Sequence, residues 1–573
     1  MKRATYALVT MLGLLLLAVP ASLGAKGDPP DRAADRAQTT EIQILALNDF
    51  HGNLEPIPAT SSAGRIGSTA AGGVEYLATH VDALRATNPN TVFVSAGDLI
   101  GATPLISALF HDEPTIEAFN LMGLDYNGVG NHEFDEGVDE LLRMQDGGCH
   151  PVDGCADGDP FHGADFDFLA ANVKYKADGE TIFPPYKIHH FKGVKVAFVG
   201  MTLEGTPSIV TPAGISHVDF FDEADSVNAL VPELQRQNVE TIIVLLHEGG
   251  NPGLPLNETT INQCGNLSGP LPPIVERMDD AIDVVVTGHT NWAVNCVVDG
   301  KVVTGAASAG RLVTDIDLTI SRATKDVVEV KVNNRIMTRD VAPAPALTEL
   351  VDKYRTISAP LANRVIGSIT ADITRSANAA GESALGDVIA DAQLDATDDP
   401  GFGDAVVAFM NPGGIRADLT FPSSPAGEGD GNVTYGEAFN VQPFGNSLVT
   451  MTLTGAQIHT LLEQQFLGCG QTGSSSRILQ VSEGFSYSWS AGGADCDKVD
   501  PSTIQIEGVT VDPAASYRVT VNSFLAEGGD DFPVLRDGTD RLGGDVDLDA
   551  LDKYFQTNSP VAPGLQNRIT QIA

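Results

Sequence analysis

Five short polar segments punctuate the first half of this chain in one order: Asn48-Asp49-Phe50-His51-Gly52, Gly97-Asp98, Gly130-Asn131-His132-Glu133, Leu246-His247-Glu248 and Gly288-His289-Thr290-Asn291. Each closes an apolar run, and each carries histidine, carboxylate or carboxamide. Those residue types together suit Mn, Zn, Fe or Co better than the all-oxygen cages that hold Ca or Mg. Any one segment alone reads as a polar turn. All five in register with strand ends read as a dinuclear metal site. Asp49 and His51 are two apart, so if the strand continues that far, both side chains face one side and can serve one ion.

The elements that must position these groups are visible in the runs before them. Ile42 to Leu47, Thr91 to Ser95, Thr241 to Leu246 and Asp283 to Thr287 are short, β-branched and nearly continuously apolar, as strands buried on both faces of a sheet are. The ends of such strands are where α/β folds bind ligands. A second unit follows. Leu347, Leu350, Val351 and Tyr354 fall at helical spacing, which predicts a connecting helix within residues 343–363 and a further domain over 364–573. The Gly-, Ser- and Asp-rich stretches at 146–166, 422–432 and 491–497 read as surface loops.

At 573 residues the chain exceeds what one hydrophobic core organises, so at least two domains are expected. Met1-Lys2-Arg3, the apolar stretch Leu8 to Val19 and the small residues up to Ala25 read as a secretory signal over residues 1–25, too short to span a bilayer. Residues 26–40 are polar and expected to be disordered, and the first domain is expected over 41–342. The implied product is exported, extracellular or periplasmic, without a membrane anchor. Six cysteines fit that route as disulfides. They form three sequential neighbours, Cys149 with Cys155, Cys264 with Cys296 and Cys469 with Cys496, among fifteen formal connectivities. The net charge of −41 argues against nucleic-acid polymers, which are held by basic surfaces. A small phosphate can still be met locally by metal ions and one or two arginines.

On these segments the chain resembles the 5′-nucleotidase family from Glu41 to its C-terminus. The resemblance implies an α/β fold: a four-layer αββα calcineurin-like metallophosphoesterase sandwich, a connecting helix and a C-terminal nucleotide-binding domain. It implies two divalent ions, Zn, Mn or Co, one on Asp49, His51 and Asn291, the other on Asn131, His247 and His289, with Asp98 bridging. His132 would be the catalytic histidine over the phosphate, oriented by Asp135, with a metal-activated water as nucleophile in place of a serine. Glu133 and Glu248 receive no role.

In the second half, Asn411-Pro412-Gly413-Gly414-Ile415-Arg416, Gln442-Pro443-Phe444-Gly445-Asn446 and Phe524-Leu525-Ala526-Glu527-Gly528-Gly529-Asp530 match the family's nucleotide-binding pieces. Phe444 and Phe524 would sandwich the base away from the metals, Arg416 would grip phosphate, Asn411 would bond base or ribose, and Asp530 would accept from ribose hydroxyls. The family's arginine before Glu382-Ser383-Ala384 is absent here, and the nearest candidate is Arg375. The implied activity is cleavage of nucleoside 5′-monophosphates to nucleoside and phosphate. A 2′,3′-cyclic-nucleotide phosphodiesterase with 3′-nucleotidase activity, a UDP-sugar or dinucleotide pyrophosphatase, and a binding protein with a dead metal site are the alternatives. Oligomeric state is left open.

Overall fold

The structure is a computed structural model that describes residues 38–59, 61–210, 212–471 and 475–572. The expected signal segment and the polar stretch through residue 37 lie outside the described residues. The expectation of disorder through residue 40 does not hold at its end. Thr39 and Thr40 open the first strand, where Thr40 is buried and its Oγ1 accepts from Arg322 Nε at 3.0 Å.

The first half contributes twelve strands to two sheets: β1 (Thr39–Leu47), β2 (Thr91–Ser95), β3 (Tyr126–Gly128), β4 (Asp167–Leu169), β5 (Tyr186–Phe191), β6 (Val194–Thr202), β7 (Thr241–His247), β8 (Val284–Thr287), β9 (Ala293–Val298), β10 (Lys301–Ala306), β11 (Leu312–Ser321) and β12 (Val327–Ile336). One sheet runs β12-β11-β1-β2-β3-β4 and the other β9-β10-β8-β7-β6-β5. The pairs β1–β2, β2–β3, β6–β7 and β7–β8 are parallel.

The alternation of side chains along each central strand explains the layering. In β1, Ile42, Ile44 and Ala46 join Phe198 of β6 and Ile243 and Leu245 of β7 in one cluster between the sheets. Leu45 and Leu47 face the other way, toward the helices Val74–Arg85, Glu113–Met122 and Val138–Asp146. In β7, Ile242, Val244 and Leu246 pack outward against Glu223–Arg236 and Leu271–Arg277. Both faces of both sheets are therefore covered, in helix, sheet, sheet, helix order. Each such fully buried aliphatic side chain contributes about 1.5–3 kcal/mol.

The connecting helix spans Pro345–Ala362 and starts on a proline, whose missing N–H costs nothing in a first turn. Its buried face, Leu347, Val351, Tyr354 and Ser358, has the expected helical spacing, and Tyr354 Oη donates to Glu117 Oε2 at 2.8 Å. Beyond it, β13 (Val407–Met410), β14 (Ser447–Thr454), β15 (Gln480–Val481), β16 (Ser516–Asn522) and β17 (Thr539–Val546) form a sheet in the order β15-β13-β16-β14-β17. The helix Ala384–Asp395, capped by the Ser383 hydroxyl on Gly386 N, packs against β13. Cysteines pair as neighbours, Cys149–Cys155, Cys264–Cys296 and Cys469–Cys496. Among the described residues no helix is long and apolar enough to cross a membrane.

Candidate metal centre and substrate cleft

The parallel registers align the C-terminal ends of the strands: Leu47 is level with Ser95, Ser95 with Asn127, and Leu246 with Thr287. The five polar segments consequently leave the two sheets along one edge and meet there. The expectation that β1 carries Asp49 and His51 on one extended face is corrected, because β1 stops at Leu47. Asp49 (φ 49°), His51 (φ 47°), Asp98 (φ 53°), His289 (φ 66°) and Asn291 (φ 59°) all adopt left-handed backbone. That conformation is costly for residues with a Cβ and clusters at functional sites. Asp49 N donates to Gly97 O (2.9 Å) and His51 N to Asp98 O (3.0 Å), which lace the first two segments into one turn system. Gly97 (φ +88°) must lack a side chain, since a Cβ there would stand 2.7 Å from His247 Nδ1 and 2.6 Å from Gly130 N.

The donor atoms fit metal ions. His247 Nδ1 bonds Ala96 O at 2.7 Å and His51 Nδ1 bonds Gly101 O at 2.9 Å, so in both rings Nε2 is the inward-facing nitrogen. His247 Nε2 lies 3.0 Å from Asp98 Oδ2 and 3.1 Å from Asn131 Oδ1, and His289 Nδ1 lies 2.9 Å from Asn131 Oδ1. His51 Nε2 lies 3.7 Å from Asp98 Oδ2 and 4.0 Å from Asp49 Oδ1. Asp98 Oδ2 is thus shared by two groups of donors, as a bridging carboxylate must be. Asp49 is fully buried, and its Oδ1 has no hydrogen-bond partner.

A buried carboxylate oxygen with nothing to accept from is a place for a cation. Electrostatics agree. Burial pushes Asp49 up to about 7. It also drives His51 and His289 down to about 3, which leaves both rings neutral, the form that binds metal. Against burial, the Asp98 carboxylate raises His247 to about 10, and the nearby imidazoles hold Asp98 well below the usual carboxylate range.

Two supporting residues escaped the sequence reading. Glu133 is buried, and its carboxylate accepts from Asp98 N (2.9 Å), Leu99 N (2.9 Å) and Gly130 N (2.7 Å). It ties the segments that carry Asp98 and Asn131 to one another. Asn48 bonds Asp49 Oδ2 and also Ala306 N (2.7 Å) and Ala307 O (2.6 Å), which fixes the Asp49 carboxylate against the opposite sheet. Both lie inside motifs already singled out, and only their partners, far along the chain, reveal the role.

His132 opens a single 3-10 turn, His132–Phe134, and its Nδ1 lies 2.9 Å from Asp135 Oδ2. Burial opposes its protonation, but Asp135 and Asp98 outweigh it and raise the imidazole, which favours the cation. His132 N donates to Asp98 Oδ1 at 2.9 Å, which seats the ring beside the cluster without occupying the shared oxygen.

A cavity of about 290 Å³ runs from this centre into the second half of the chain; Asn131, His132, Asp135 and His289 line it from one side and Asn411, Arg416, Phe444, Phe524 and Asp530 from the other. Phe444 stands beside His132, which is not among the expected ligands. Its ring is stacked on His132 at 5.9 Å and 15°, and the Arg416 guanidinium lies 5.7 Å from the centre of the same ring as a cation–π partner. Asn411 Nδ2 donates to Asp530 Oδ2 at 2.7 Å. Arg375 is exposed and lines a neighbouring hollow with Ser383 and Gln480, its Nη1 on Ile415 O at 3.2 Å. Asn291 is exposed, and its amide bonds the His289 carbonyl at 3.2 Å. Arg477, a lone arginine after a Ser-rich stretch, also lines the cavity; no motif marked it.

Comparison with known proteins agrees with this geometry. Residues 42–292 match the calcineurin-like phosphoesterase family model, and residues 365–537 match the 5′-nucleotidase C-terminal domain. The chain is 32% identical over 541 residues to Endonuclease YhcR of Bacillus subtilis, covering 92% of this chain and 41% of that protein. It is 31% identical over 554 residues to Cell wall protein Lmo0130 of Listeria monocytogenes, covering 91% of this chain and 67% of the relative. The crystal structure of a 5′-nucleotidase precursor from Thermus thermophilus superposes with a TM-score of 0.74 at 26% identity, over 93% of this chain and 99% of that one. With both halves matched and the cluster of candidate ligands opening onto the cavity they share, the chain belongs to the 5′-nucleotidase family of metallophosphoesterases.

Proposed function

We propose that this protein is an exported, metal-dependent phosphohydrolase that cleaves nucleoside 5′-monophosphates to nucleoside and phosphate. The observation that carries it is the shared cavity, in which Arg416 and Phe444 of the second half stand against His132 of the first. The working halves are residues 41–342 and 364–573, joined by 343–363, and export follows from the signal segment at 1–25.

In this reading Asp49 and His51 hold one divalent ion, Asn131, His247 and His289 the other, and Asp98 both. Asn291 would offer its Oδ1 to the first ion, since its Nδ2 is the atom that bonds the His289 carbonyl. When bound, two such ions acidify a water and neutralise phosphoryl oxygens. The protein's own groups do the rest. Arg416 donates to the phosphoryl oxygens, a planar fork matched to them. His132, whose protonated form Asp135 and Asp98 favour against burial, donates from Nε2 to charge that develops on the phosphoryl group or the leaving 5′-oxygen. Phe444 and Phe524 hold the base, while Asn411 and Asp530 take the ribose.

The Bacillus relative's name points to nucleic-acid cleavage, but a charge of −41 favours a small nucleotide over a polymer. Phosphate release from a panel of 5′-, 3′- and 2′,3′-cyclic nucleotides, a UDP-sugar and an aryl phosphate tests the proposal. Rapid cleavage of 5′-monophosphates supports it. Cleavage of the aryl phosphate with none of the 5′-nucleotides would overturn it.

A further inference from the structure

Asp112 is a buried carboxylate on the wall of the same cavity, and the proposed chemistry leaves it unused. It stands just before the helix Glu113–Met122, where aspartate is a preferred cap. Yet its side chain makes no cap bond, and its backbone is left-handed at φ 63°. The carboxylate turns instead onto the segment that follows Asp98. Oδ2 accepts from Gly101 N at 2.9 Å, and Oδ1 accepts from Thr103 Oγ1 at 2.7 Å and from Ser107 Oγ at 2.6 Å. Ser107 Oγ lies 2.7 Å from Thr115 Oγ1, which ties this network to the helix.

Between those anchors is the carbonyl that holds a metal ligand. Gly101 O can only accept, so at 2.9 Å it takes the Nδ1 proton of His51 and leaves Nε2 as the metal-facing nitrogen of that ring. Residue 101 has to be glycine, because at φ +79° a Cβ would stand 2.3 Å from His132 O and 2.7 Å from Asp135 Oδ2. Glycine has more backbone freedom than any other residue, so its carbonyl needs outside anchors to keep one direction. Asp112 supplies one on each side, at Gly101 N and at the Thr103 hydroxyl. Asp98 and Leu99, earlier in the segment, are held separately by Glu133. We infer that Asp112 is the positioning residue for His51: it fixes the Gly101 carbonyl and so sets the affinity for the ion on Asp49 and His51, without touching that ion. The inference rests on the two-ion reading above. The ion on Asn131, His247 and His289 does not depend on Asp112.

The test is uptake of Co2+ by the full chain in buffers of graded free metal, read as ions bound per chain, together with nitrogen NMR of labelled histidine in the metal-free protein. The wild type is expected to take up two ions. Asp112→Gly removes the carboxylate and suits the left-handed backbone, so the fold survives. It should need about 10–100-fold more free metal to fill one of the two sites, the value of an outer partner to a ligand, and fill the other as before. Asp112→Asn can turn its carbonyl to Gly101 N and donate its amide to the two hydroxyls, so it should stay within about threefold of wild type. His51 should show one Nδ1-protonated ring in the wild type and a mixture of tautomers in Asp112→Gly. Unchanged uptake of both ions by folded Asp112→Gly would overturn the inference. Equal weakening of both ions with a lowered melting temperature would do the same, because that is the mark of a general structural role. A loss in Asp112→Asn as large as in Asp112→Gly would also overturn it, since charge and not the bond to Gly101 would then be at work. A wild type that takes up fewer than two ions would remove the two-ion reading and this inference with it.

Discussion

The rings of His132 and Phe444 lie nearly parallel, 15° apart with centroids 5.9 Å from one another, although 312 positions of sequence separate the two halves they serve. A side chain expected only to hold the base therefore also touches the residue expected to donate to the phosphate. The two phenylalanines should then behave differently. Phe524→Ala should lower kcat/KM for a 5′-nucleotide by roughly five- to 150-fold, the value of one stacking contact at about 1–3 kcal/mol, and spare an aryl phosphate. Phe444→Ala should lower both substrates, because it also frees the His132 ring. Steady-state kinetics on the two substrates decide; identical substrate ratios in the two variants would contradict this division of labour.

Asp98 and His132 occupy different places relative to the ligand cluster. Asp98 Oδ2 is 3.0 Å from His247 Nε2 and 3.7 Å from His51 Nε2, so Asp98→Ala should strip metal and activity together. His132→Ala should keep metal content near normal and lower turnover by about 10²–10⁴, the range of a general acid or charge-stabilising group. Metal analysis of the purified variants measures this, and equal metal loss in both would show that His132 is itself a ligand.

Glu133 should matter for metal without binding it. Glu133→Gln sets an amide donor among three backbone N–H donors, at 2.7–2.9 Å in the wild type. The unsatisfied donors should cost about 1–3 kcal/mol of stability, and loosening of the Asp98 and Asn131 segments should weaken metal affinity about 10–100-fold. Thermal melting and metal titration give the two numbers. A variant of normal stability with unchanged affinity would reduce Glu133 to a bystander.

Much of this site was legible in the sequence because it is built from strand ends. A continuous apolar run followed by a polar pair is a local signal, so the positions of Asp49, Asp98, Asn131, His247 and His289 could be read without the fold. Their backbone could not. Five of the seven expected ligand positions adopt positive φ, and whether Asp49 and His51 share an extended face or a left-handed turn depends on Gly97 and Asp98 from another strand. The same limit hid Glu133, visible in its motif but meaningful only through Leu99 N, and Arg477, whose partner Asp530 lies 53 positions away. The helix at Pro345–Ala362 was legible in its periodicity, whereas the stacking of Phe444 on His132 arises only when the two halves meet.

His111 ties the wall of the cavity to the loop closed by Cys149 and Cys155. Its Nδ1 lies 2.8 Å from Glu136 Oε2 and its Nε2 3.0 Å from Asp153 Oδ2, with the His150 ring stacked at 3.8 Å. The bond to Glu136, then the second to Asp153, raise its imidazole to about 9, against the opposing effect of burial. Folded His111 therefore holds its proton more tightly than in the unfolded chain. The sign follows from linkage: the stabilisation is complete below about pH 6.5 and disappears as pH rises through about 9. Glu136 and Asp153 are about half exposed, so solvent screening reduces the contribution to about 1 kcal/mol. Melting curves of wild type and His111→Gln from pH 6 to 10 should show a gap of a few degrees at pH 6 that closes by pH 10. A gap that stays constant, or widens with pH, would mean that His111 stabilises this loop by packing on His150 and not by its charge.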